Sequence, residues 1–169
     1  MKLKFGKPEH GWMVITLDDH ELDVSDVPCN SLLILTTALS QILSGSRSEE
    51  VDWSLEPNFA SWIFAREGTE LAFYLRPTEE GEPVLIERSV PHKIIDQILG
   101  ALDKLAADEV WTQGEERLVW AADKQHLVWA QNEERMTWAP DGKHLIWSWP
   151  FPSAELEHLK AIRSERDGI

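Results

Sequence analysis

Apolar and polar positions alternate loosely over residues 10 to 24, with Trp12, Val14 and, less cleanly, Leu17 among the apolar positions. Asp18-Asp19-His20 has turn composition and leads into Glu21-Leu22-Asp23-Val24, so the stretch predicts a β-hairpin. Pro28-Cys29-Asn30-Ser31 then opens an apolar run in which Leu32, Leu35, Leu39 and Ile42 recur at helical spacing. Asn30 or Ser31 supplies the N-terminal cap of this helix, and Ser44-Gly45-Ser46 ends it. Three strand-like segments follow: Val51 to Glu56, Ala60 to Arg66 and Leu71 to Arg76, the last two joined by an Arg66-Glu67-Gly68-Thr69 turn. Pro83 to Arg88 reads as a fourth. From Pro91 to Ala106 the period returns to that of a helix, with Pro91 in the first turn and an apolar stripe of Ile94, Ile95, Ile98, Leu99, Leu102 and Leu105.

Beyond residue 108 the pattern becomes a repeat. Trp111, Trp120, Trp129, Trp138 and Trp147 are nine residues apart, and residues 113–130 align with 131–148 at ten identical positions. Nine helical steps of about 100° place successive tryptophans on alternating faces, so a helix does not suit this period. A strand does: five-residue β-prone cores such as His126-Leu127-Val128-Trp129-Ala130 alternate with four turn-forming residues such as Pro140-Asp141-Gly142-Lys143. The prediction is a five-stranded antiparallel meander. Symmetric closure of each four-residue turn sets Trp138 opposite Leu145 and Ala139 opposite His144. Leu118, Trp120, Leu127, Trp129, Met136, Trp138, Leu145 and Trp147 then share one face. A parallel β-roll also has an 18-residue coil, but its turns need glycine-rich, calcium-binding nonapeptides, and only Gly114 and Gly142 occur here. Burying one indole is worth at most about 5 kcal/mol, and five left in water would form a patch that soluble monomers seldom tolerate. The tryptophan face is therefore expected to pack on the helix at 91–106 and on a terminal helix at 153–163, capped by Ser153, whose apolar side is Leu156, Leu159 and Ile162. Trp12, Trp53, Trp62 and Trp149 fall outside the column and read as edge or contact residues.

The pattern as a whole predicts an α+β fold: an N-terminal mixed sheet with two helices, then the Trp-rich antiparallel meander and a C-terminal helix. The expected division is 1–107 and 108–169, with one continuous structure as the alternative; a chain of 169 residues fits either.

Charge narrows the function classes. Thirty acids against 16 Lys and Arg give a net charge of −14, which opposes binding to nucleic-acid phosphates and anionic membranes. Through Asp108 there are 19 acids and 9 bases, so the first half carries −10 of the total. Pro8 to Ser46 holds six carboxylates and no Lys or Arg, and Glu49, Glu50, Asp52 and Glu56 form a second acidic group. No apolar run reaches the roughly 18 residues of a membrane span. The N-terminus has basic residues without the apolar stretch of a signal peptide. A soluble, cytoplasmic domain of bacterial type is the expectation.

Candidate chemistry is sparse. Cys29 precedes a helix N-terminus but has no histidine nearby in sequence to act as base, and a single cysteine forms no internal disulfide. Asp18, Asp19, His20 and Asp23 lack the glycine and distal glutamate of an oxygen-ligand loop. His126 and His144, one intervening strand apart, would lie roughly 10 Å from each other, too far to share a zinc ion. No phosphate-binding glycine loop, nucleophile elbow or H-E-x-x-H is present. No catalytic residue, cofactor or metal is therefore expected.

Glu9-His10-Gly11-Trp12, Asp23-Val24-Ser25-Asp26-Val27 leading into an apolar helix, and Val51-Asp52-Trp53 followed by Glu56-Pro57 carry one likeness. Over residues 9–65 the chain resembles small acidic bacterial proteins of unknown function, some linked to toxin–immunity systems. The resemblance implies a binding role. Together with the charge, it predicts a non-enzymatic protein-interaction protein, of the immunity-inhibitor type, that binds a basic protein partner through Asp18, Asp19, Glu21, Asp23 and Asp26. The alternative is a carbohydrate- or peptide-binding module that uses exposed tryptophans.

Overall fold

The computed structural model describes residues 1–111, 118–120, 127–129, 137–138 and 145–166. Seven strands form one sheet in chain order, antiparallel throughout: β1 (Leu3–Phe5), β2 (Trp12–Leu17), β3 (His20–Ser25), β4 (Ser48–Ser54), β5 (Phe59–Glu67), β6 (Glu70–Arg76) and β7 (Val84–Ser89). The fold is α+β as expected, with the first sheet antiparallel where a mixed one was predicted. Helix α1 (Ser31–Ser44) interrupts the strand order after β3, and α2 (Pro91–Ala106) and α3 (Ser153–Glu165) follow the sheet.

Local chemistry accounts for the elements. The Asn30 side chain accepts from the Leu33 N–H, and Gly45, at φ 109, closes α1 in the left-handed region that glycine enters without a Cβ clash. Helix α2 starts on Pro91 and buries all six residues of its predicted stripe. At α3 the expected cap moves by one residue: Pro152 is the cap, Ser153 is already helical, and no side chain bonds the first turn. In β2 the phase also differs from expectation. Met13, Ile15 and Leu17 are buried while Trp12 and Val14 face outward, because the inward set must match Leu22 and Val24 across the hairpin.

Pairing between β3 and β4 is confined to Ser25↔Ser54, so the sheet has two wings, β1–β3 and β4–β7. An aromatic cluster joins them. Phe5 of β1 lies 6.2 Å from Trp53 of β4 and 6.1 Å from Trp62 of β5, ring centre to ring centre. Trp53 and Trp62 are 5.0 Å apart, Trp62 meets Phe73 edge-on at 5.3 Å, and Phe73 stacks on Phe64 at 4.8 Å. Trp53 and Trp62 are fully buried, not edge or contact residues, because strand alternation turns them inward with Val51, Ala60 and Phe64. At the rim, the Met1 ammonium donates to Glu87 of β7 at 2.7 Å and brings the two ends of the sheet together.

The repeat supplies β8 (Leu118–Trp120), β9 (Leu127–Trp129), β10 (Thr137–Trp138) and β11 (Leu145–Trp147). β8 pairs with β9 through Leu118↔Trp129, Val119↔Val128 and Trp120↔Leu127. β10 pairs with β11 through Trp138↔Leu145, the register that four-residue turns require, with an irregularity at Thr137/Trp138. Among the described residues these are two separate hairpins. The first of the five expected strands is absent: Glu109–Trp111 is a 3₁₀ turn. Its backbone is taken up locally, since Val110 N–H bonds the Asp108 carboxylate, Trp111 N–H bonds Asp108 O and the Trp111 indole bonds Leu105 O. The turn segments of the repeat, with Met136, His126 and His144, lie outside the described residues, as does the side-chain packing of the column before Trp147. Trp147 and Ile146 are buried and belong, with Leu156 and Leu159, to the same core as the seven-stranded sheet.

Trp62→Ala is expected to lower stability by about 3–5 kcal/mol, against within about 0.5 kcal/mol for Val84→Ala on the exposed edge of β7. Urea denaturation midpoints of the two variants check this; equal losses would refute it.

Candidate interaction surface

The β2–β3 hairpin presents most of the predicted partner-binding residues. Its register sets Val14 opposite Asp23 and Thr16 opposite Glu21, and a two-residue turn, Asp18-Asp19, joins the strands. Asp18 sits at φ 51, a left-handed conformation that aspartate tolerates better than most residues. The turn is anchored to β1: Lys2 N–H donates to the Asp18 carboxylate at 2.6 Å, and Asp18 N–H donates to Lys2 O at 2.8 Å. Asp18, Asp19, Glu21 and Asp23 all stand exposed. Among the described residues, Asp19, Glu21 and Asp23 make no ion pair or hydrogen bond through their carboxylates. Beside them Val14 is 38% exposed and Trp12 half-buried, so the face combines unpaired negative charge with apolar surface. Outward-facing Val14 is the component that a search for carboxylates misses; the strand alternation carries it once the phase of β2 is known.

Asp26 does not join this face. It is 3% exposed, and its carboxylate accepts from Ser148 N–H while its backbone oxygen accepts from the Trp149 indole at 2.6 Å. Gly11, at φ +78, packs so closely that a Cβ there would lie 3.1 Å from Asp26 Oδ1. Gly11 also donates to Ile146 O at 2.9 Å. Asp26 is thus a tie between the base of the hairpin and the end of β11, buried because the chain turns inward after Ser25. Burial pushes its pKa up from the usual value and the nearby Glu56 charge adds to this, against the opposing hydrogen bonds from Ser148.

Three residues of the second acidic group are engaged internally. Glu50 pairs with Arg76, Asp52 accepts from Ser61 at 2.7 Å, and Glu56 accepts from Ser25. Arg76 also donates to Ser61 at 3.0 Å, and Arg88 pairs with Glu67 at 2.7 Å across the same outer face. Elsewhere, half-buried Cys29 has Ser31 Oγ at 3.5 Å as its nearby polar contact. No group of three or more metal-ligating side chains occurs among the described residues. Nor, among them, is any helix long and apolar enough to cross a membrane. Of the tryptophan side chains described, Trp53, Trp62 and Trp147 are buried and Trp12, Trp111 and Trp149 are half-buried. Comparison with protein-family models, curated proteins and solved structures finds no match to this chain.

Asp26 also predicts a pH effect. Its folded pKa lies above the unfolded value near 3.8, so its contribution to stability is fully present below that value and is lost as pH rises through the folded pKa. Asp26→Asn keeps an acceptor for Ser148 but cannot ionise, so wild-type stability should fall relative to this variant as pH rises from 3.8 through the folded pKa. Asp26→Ala leaves the Ser148 N–H unpaired and should cost about 1–3 kcal/mol. Urea titrations across that pH range read both effects; a wild-type advantage over Asp26→Asn that grows with pH would refute the first.

Proposed function

We propose that the protein is a non-enzymatic interaction module that binds a basic protein partner on the outer face of the β2–β3 hairpin. One observation carries the reading. The acidic residues of the first half differ in how they are used: Glu50, Asp52 and Glu56 are matched by Arg76, Ser61 and Ser25, whereas Asp19, Glu21 and Asp23 are exposed and unmatched among the described residues. Unpaired charge on a hydrogen-bonded hairpin speeds encounter with a positive surface and disfavours negative ones. Val14 and Trp12 alongside provide apolar area that a partner can desolvate, and Trp is among the residues on which interface energy concentrates. The specific form proposed is an immunity-type inhibitor, in keeping with the resemblance of residues 9–65 to small acidic bacterial proteins, some of which are linked to such systems. The half-buried or buried state of the tryptophan side chains described favours this over a tryptophan platform for sugars.

The test is charge reversal. Asp19→Lys, Glu21→Lys and Asp23→Lys together should slow association with the cognate partner at least about tenfold, and the wild-type on-rate should fall steeply as salt rises. Val14→Asp should weaken the complex with little change in salt dependence. A partner captured from the native host and held equally well by the triple variant would exclude this face.

A further inference from the structure

β1 is an edge strand, and its free side opens on a cavity. Lys2 O accepts from Asp18 N–H and Gly6 N–H donates to Val14 O at 2.7 Å, so the even-numbered residues of this segment direct their backbone polar groups to β2. By strand alternation, the N–H and C=O groups of Leu3 and Phe5 point the other way. No hydrogen bond reaches any of these four groups among the described residues. They border a cavity of about 410 Å³ between β1 and the C-terminal half of α2. Leu3, Phe5, Ala101 and Leu105 give it apolar walls.

Its charge runs against that of the whole chain. Lys4, Lys7 and Lys104 line the cavity with Asp108 as the single acid, in a protein of net charge −14. None of the three lysines makes an ion pair among the described residues, and all three are exposed. Asp108 already accepts from Val110 N–H at 3.1 Å. The groove is therefore locally cationic, apolar on its inner side, and edged by a strand whose outward donors and acceptors are unused among the described residues.

We infer that the groove between β1 and α2 binds an extended acidic peptide as an added strand of the sheet. Unpaired edge groups are a template for another strand, and main-chain bonds of this kind give affinity while alternate side chains give specificity. A strand laid along β1 sends every second side chain toward the apolar walls and the others toward Lys4, so the favoured ligand alternates apolar residues with carboxylates. The volume lies within the range of small-ligand clefts and suits a short segment. The groove lies on the opposite edge of β1 from the hairpin, which Lys4 adjoins through its pairing with Thr16. The inference does not rest on the function proposed for the hairpin face.

The probe is the capped peptide Glu-Val-Glu-Val-Glu-Val, titrated into the full chain by NMR and calorimetry. Binding should protect the Leu3 and Phe5 amides from hydrogen exchange at least about tenfold. The combined change Lys4→Glu, Lys7→Glu and Lys104→Glu, with folding checked by circular dichroism, should weaken binding at least about tenfold, and so should raised salt. Two further peptides carry N-methyl groups, one on the glutamates and one on the valines. One of them should lose at least about tenfold in affinity and the other retain it, since alternate amides face β1. The hairpin variant Asp19→Lys, Glu21→Lys, Asp23→Lys should still bind the probe, which separates this result from the proposal for the hairpin. Absence of binding at 1 mM peptide, indifference to the lysine changes, or equal binding of both methylated peptides would overturn the inference. Protection of Leu3 and Phe5 without peptide that disappears on dilution would identify a second copy of the chain as the occupant and overturn it as well.

Discussion

Phe5 rests against both Trp53 and Trp62, and through this contact the two wings of the sheet share one core. The backbone alone does not join them firmly, since the ladder between β3 and β4 is reduced to Ser25↔Ser54 where α1 leaves and returns. Aromatic packing takes over from hydrogen bonding at that seam. Full burial of a single indole is worth at most about 5 kcal/mol, several times the net value of a typical backbone hydrogen bond. Trp53 and Trp62 have buried indole N–H groups with no acceptor among the described residues, which offsets part of that gain.

The position of β1 also shapes the surface. Its pairing with β2 sets Lys2 beside the Asp18 turn, and the backbone–carboxylate and backbone–backbone bonds there stiffen the acidic hairpin. It also leaves the outer side of β1 facing α2 instead of another strand, while Met1 and Glu87 meet at the rim. Acidic and basic surfaces thus flank one short strand. On the far wing, by contrast, Arg76 pairs with Glu50 and Arg88 with Glu67 on the outer side of the strands.

Much of this was legible from periodicity. The stripe of α2, the Asn30 and Gly45 ends of α1, and the strands around Trp53, Phe64 and Phe73 follow from spacing and caps, which are local properties. The hairpin was legible as well, but its phase was not: Trp12, Met13, Val14 and Ile15 are all apolar, and no alternation within them tells inside from outside. The repeat predicted the register of β8–β9 and the Trp138↔Leu145 pair of β10–β11, where the ladder then shifts at Thr137. Its first unit nevertheless became a 3₁₀ turn because Asp108 and Leu105 at the end of α2 offered nearer hydrogen-bond partners.

By itself the sequence determined the helices, the strand segments, the turn at Asp18-Asp19, the nine-residue spacing and the uneven acidity, all set by residues close together in the chain. Only the tertiary structure decided which carboxylates are available. Asp26 lies three residues from Asp23 in sequence, but Ser148 and Trp149, 122 and 123 residues away, draw it into the interior. Glu50 is likewise claimed by Arg76 from two strands away. Charge is a property of a residue, whereas its burial and pairing depend on groups that folding brings from elsewhere.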